Sequence, residues 1–152
     1  MSRTPTTAYA ELITKLYDLR RESEIRKARN WWIGFWPESA DDILKIATAL
    51  GTHENAWLRQ VGGYWEMAAS FVLHGTLNRD LFLEPSFSGE MFLFYGKIQP
   101  FLKDVREKMQ NPAIFANVEK LIATSEGAPE RLKQVQARTA MIRKEAQSAR
   151  AA

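Results

Sequence analysis

A chain of 152 residues with 45% hydrophobic and 26% charged side chains and a formal net charge of +3 has the size and make-up of one folded domain, which argues against overall disorder. With no cysteine, a disulfide framework, a thiolate nucleophile and a cysteine-type zinc site are excluded as well. The small positive surplus, concentrated in the second half of the chain, is weak for a surface that tracks phosphates.

The first residues, "MSRTPTTAYAEL", lack the apolar run and small-residue cleavage site of a secretory signal, which predicts a cytoplasmic protein. Residues 1–6 and 149–152 are expected to be short flexible ends. From Thr7 to about Ile33, apolar residues at Tyr9, Leu12, Ile13, Leu16, Leu19, Ile25, Ala28 and Trp32 follow the three-and-four spacing of a single amphipathic helix. Its middle, "DLRRESEIRKAR", reads as a solvated surface laced with weak ion pairs. Gly34 and Pro37 end it within "NWWIGFWPESADD". Successive residues on a helix point about 100° apart, so Trp31 and Trp32 cannot both enter one core. The aromatic knot is either a hydrophobic corner or an interaction surface formed by Trp31, Trp32, Phe35 and Trp36. The neighbouring Glu38, Asp41 and Asp42 argue against an anionic membrane.

Ser39, with Asp42 three residues on, has the pattern of a capping box and opens a second helix that Gly51 closes. A third helix runs from about His53 to His74. It contains adjacent Gly62 and Gly63, each costing about 1 kcal/mol relative to alanine, which suggests a bend or a close helix approach. After a turn and a short helical piece, a fourth helix is expected from about Gly89 to Met109, kinked at Pro100 because proline removes a hydrogen bond and crowds the preceding turn. Asn111 and Pro112 fit the start of a further helix. A last one runs from about Glu130 to Ser148 on a thin apolar stripe. No run of alternating strand residues interrupts this pattern. The fold class is all-α, a single-domain bundle of about five or six helices, with no transmembrane segment because the most apolar stretch carries Glu66 and His74.

On the third helix Arg59, Gly63, Glu66, Ser70 and His74 fall along one stripe. Glu66 reads either as the centre of a ligand site or as a registry ion pair with Arg59 or Arg106. Trp65, Tyr95 and Arg106 would join Glu66 in a pocket between the third and fourth helices. His53 and His74 stand at opposite ends of that helix and no Glu-x-x-His pair occurs, so neither a metal nor a cofactor is predicted. No serine has a nucleophile-elbow setting, and no catalytic residue is assigned.

The stretch from Glu54 to about Leu121, with "GGYWEMAASFVLHGTLNRDLF", "GEMFLFYGKIQPFL", "DVREKMQNP" and "NVEKL", resembles a group of bacterial all-helical domains of unknown function. The features shared with that group are Glu66, Ala69, Gly75, Leu81 and Phe82. The resemblance implies a helical scaffold with Glu66 paired to Arg106, and it implies no activity. The leading expectation is a non-catalytic module that binds a protein partner or forms a homo-oligomer such as a dimer. The alternatives are a small-molecule pocket around Glu66, and weak nucleic-acid binding through Arg131, Lys133, Arg138, Arg143, Lys144 and Arg150 of the last helix. Glu22 and Glu24 beside the first basic segment disfavour nucleic acid.

Overall fold

A computed structural model of the protein describes residues 4–152; Met1–Arg3, part of the expected flexible amino end, lie outside them. Among the described residues every regular element is helical, with eight α-helices of seven or more residues, one four-residue helix and one 3-10 turn. The count exceeds the five or six expected because two helices that look continuous in sequence are each divided.

The first division falls inside the charged segment. Helix α1 spans Thr7–Leu19 and α2 spans Ser23–Gly34. The chain turns at Arg20–Glu22, and the Glu22 carboxylate accepts hydrogen bonds from the backbone N–H groups of Glu24 and Ile25 at 2.9 and 3.1 Å. An acidic side chain at a helix start satisfies donors that have no partner inside the helix. Helix α3, Ala40–Thr48, carries the expected capping box: Ser39 Oγ accepts from Asp42 N–H at 3.3 Å while Asp42 Oδ2 accepts from Ser39 N–H at 3.2 Å. Helix α4, His53–Leu73, is capped by Thr52.

Helix α5 is the single turn Arg79–Phe82, and α6, Pro85–Ile98, begins earlier than Gly89 because Pro85 occupies the first helical position, where its missing N–H is not needed. At Pro100 the expected continuous fourth helix is interrupted by a 3-10 turn, Gln99–Phe101, and α7 follows over Leu102–Lys108. Helix α8 starts at Ala116, not at Asn111. The Asn111 side chain accepts from Ala113 N–H at 3.0 Å and caps only a turn, after which Phe115 takes a left-handed conformation with φ of 53°. Helix α9, Ala128–Ala151, is the longest and extends beyond Ser148.

Helix α4 is the central strut, packed against α2, α3 and α8, while α6 packs along α9. Met91, Phe92, Phe94, Tyr95 and Ile98 of α6 are all buried, as expected of a helix covered on every side. They join Trp32, Val61, Trp65, Val118 and Leu121 in one hydrophobic cluster with contributions from α1 to α9. Burying side chains of this size stabilises by about 1.5–3 kcal/mol each. Gly62 permits the closest approach: a Cβ there would lie 2.6 Å from the Phe115 ring, whereas one on Gly63 would meet nothing within 4 Å. No described helix is long and apolar enough to cross a membrane.

Candidate functional site

The six residues expected to form a site around Glu66 are distributed among four places. A stripe from Arg59 to His74 runs about 22 Å along a helix axis, and different neighbours cover successive turns of α4. Glu66 is half-buried, and both of its oxygens accept backbone N–H groups at the start of α8, from Val118 at 2.9 Å and Asn117 at 3.3 Å. A carboxylate at a helix start completes orphan amides and meets the positive end of the helix dipole. Arg106 does not pair with Glu66. Its guanidinium donates to the Ile114 carbonyl at 2.8 and 3.0 Å and to Glu119 at 3.0 Å. Tyr95 donates to the same Glu119 at 3.2 Å, and burial followed by the Glu119 charge pushes its hydroxyl pKa upward.

Arg59 lies on another face, exposed, donating to Asn55 Oδ1 at 3.1 Å. Trp65 is buried edge-on to Tyr64, beneath the Arg20 guanidinium. His74 is exposed at the end of α4 and uses Nδ1 to donate to the Ser70 carbonyl at 2.8 Å. Two arginines of the segment expected to be solvated turn inward, Arg20 almost fully and Arg29 in part. Glu90 of α6 receives Arg20 and, at 2.8 Å, Arg29, with the Arg20 and Glu90 side chains only 11% and 14% exposed. Their cluster ties the end of α1 to α2 and α6. The exposed Lys27–Glu24 pair is the weak surface type anticipated.

The aromatic knot has a different structure from a flat patch. Trp32 is in the core, its ring 4.7 Å from that of Phe94, and Trp31 stacks on Phe35 at 5.1 Å with Trp57 beside it. Trp31, Phe35 and Trp36 are half-buried. What holds the corner is Lys97, a side chain the sequence reading passed over. It reaches out of α6 with 7% exposure, and its ammonium donates to the carbonyls of Trp32, Phe35 and Ile33 at 2.7, 2.9 and 3.0 Å. Three N–H groups thus meet three carbonyls at the end of α2, of which the Trp32 carbonyl also accepts the Phe35 N–H at 3.2 Å. Burial, and then the neighbouring Arg143, push the Lys97 pKa down to about 8, against the pull of those carbonyls. The same ammonium sits 3.9 Å from the centre of the Trp36 ring, a cation–π distance.

Beside this corner opens a cleft of about 590 Å³, within the size range of small-molecule sites. One wall is Trp36, Pro37 and Glu38; the floor is Gly96, Lys97, Pro100 and Phe101; the far wall is α9, with Thr139, Ala140, Arg143 and Lys144. Gly96 lets the helices approach, since a Cβ there would lie 3.2 Å from Gln136 Cγ, and Gln136 donates to the Gly96 carbonyl at 3.1 Å. Arg143 spans the mouth, donating to Glu38 at 2.6 Å with its guanidinium 5.5 Å from the Trp36 ring centre. No group of His, Asp or Glu among the described residues is arranged to hold a metal ion. The residues that line the cleft carry charge, aromatic faces and hydrogen-bonding groups.

The family model described as Domain of unknown function (DUF4760) matches residues 5–125. The chain belongs to that family. The match is wider than the stretch 54–121 that carries the resemblance in sequence, and it includes the aromatic knot, Glu66 and Lys97. No curated protein and no solved structure matches the chain. In DUF4760 terms the Trp36 wall and the Lys97 floor of the cleft lie inside the matched region, and the α9 wall lies beyond it.

Proposed function

We propose that the chain is a single-domain, non-catalytic binding module of the cytoplasm whose ligand enters the cleft between Trp36 and α9. The observation that carries this reading is the cleft itself, in which a half-buried tryptophan, an anchored lysine and an arginine surround a space of about 590 Å³. Sites of this kind combine apolar surface with a few fixed polar groups. The Glu66 pocket has less support, because both Glu66 oxygens are engaged by the amides of α8. Nucleic-acid binding through α9 also has less support. Arg131 is turned inward to Leu83 and Ser88.

A test uses Ala140, which is exposed and lines the cleft. Ala140→Phe fills the space without entering the core. A fragment library is screened by thermal shift and ligand-observed NMR on both forms. Fragments that bind the parent protein and are lost in Ala140→Phe support the reading; a screen whose hits all persist in the blocked variant, or that has none, refutes it.

A further inference from the structure

We propose that the ligand of this cleft is a small organic anion, its apolar body lying against Trp36, Pro37 and Phe101 and its carboxylate or phosphate group meeting Arg143 and Lys144. The inference rests on the binding-module reading and specifies its chemistry.

The first support is charge. Lys97, Arg143 and Lys144 line the cleft and Glu38 is the single carboxylate among its lining residues. Lys97 is tethered by three hydrogen bonds and buried, so its charge cannot swing into solvent as that of an ordinary surface lysine does. A fixed cation under a partly apolar wall is weakly screened and biases the whole cleft toward anions. With every N–H engaged by a carbonyl, Lys97 supplies field and not contact.

The second support is unused donors. Among the described residues Arg143 makes one hydrogen bond, to Glu38, and a guanidinium offers five N–H groups in a planar fork that suits carboxylate or phosphate. Its side chain is 28% exposed, held but reachable. Lys144 forms no ion pair among the described residues. The third support is the company these groups keep. Trp36, Pro37, Phe101 and Ala140 provide an apolar surface next to the cations, which inorganic anions would not use and an organic one would.

Isothermal titration with three matched probes tests the inference: 2-naphthoate, 2-naphthyl phosphate and the neutral 2-naphthamide. At least one of the anions is expected to bind ten times or more tightly than the amide, with affinity falling as salt rises. The better anion distinguishes a carboxylate ligand from a phosphate ligand. Lys144→Glu should weaken that anion by tenfold or more with little change in Tm, since Lys144 is exposed. Glu38→Gln, which removes the single carboxylate, should strengthen it severalfold. Equal binding of amide and anions, or an unchanged affinity in both variants, overturns the anion inference while leaving the cleft reading intact. Binding of none of the three, or equal binding to Ala140→Phe, overturns both.

Discussion

Lys97 illustrates how one side chain can be costly to bury and still complete a helix end. Its ammonium closes α2 by meeting three carbonyls, yet it is removed from water to do so. A base that holds its proton less tightly in the folded chain than in the unfolded one lowers stability while both forms are charged, and the penalty fades as pH rises from the folded pKa toward the unfolded one. For Lys97 that window runs from about 8 to 10.5. Urea unfolding at pH 8 and pH 10 should therefore show the parent protein gaining about 2 kcal/mol relative to Lys97→Met over that interval. A flat difference between the two pH values would mean that the carbonyls hold the proton as firmly as water does. In sequence, Lys97 is the one charge within "MFLFYGKIQPFL", and that isolation was the available signal. It shows that a charge is buried but not what it meets, because the three acceptors lie 62 to 65 positions earlier.

At the scale of elements, many short helices bring their ends inside the molecule, and distant side chains complete them. Asn55 donates to the Ile46 and Ala47 carbonyls at the end of α3, Arg79 to Thr124 at the end of α8, Arg131 to Leu83 after α5, and Glu66 accepts at the start of α8. This explains what could be read in advance. The α3 capping box was legible because its partners lie three residues apart. Glu66 was legible as an exceptional residue but not as a cap, since its amides are 51 and 52 residues away. The division at Arg20–Glu22 was hidden because the apolar spacing continues across it while Glu90, the group that draws Arg20 inward, belongs to α6. Of the two readings the glycine pair allowed, a bend or a close approach, the close approach is made by Gly62 and not by Gly63. Gly62→Ala should destabilise by about 1–3 kcal/mol, because the aromatic ring of Phe115 must give way and carries the start of α8 with it. Gly63→Ala, with open space around it, should stabilise by up to about 1 kcal/mol. Denaturant midpoints of the two variants, moving in opposite directions, would establish the difference.

For the molecule as a whole, burial is uneven. Helices α4 and α6 carry the densest part of the hydrophobic cluster, whereas every residue of α9 after Arg143 is exposed. Local opening free energies follow buried apolar contacts. Native-state hydrogen exchange should accordingly find the amides of residues 146–151 exchanging fastest among the helices and those of α6 slowest; protection of that segment comparable to α6 would mean that another chain covers it. The cleft bridges these two regimes. Its floor belongs to the stretch that the family model matches, and its outer wall to a helix beyond that stretch. Ala140, Arg143 and Lys144 lie within about one turn of α9, outside the hydrophobic cluster. On the cleft reading proposed above, changes on α9 would alter what the cleft selects while the floor within the family-matched stretch stays as it is.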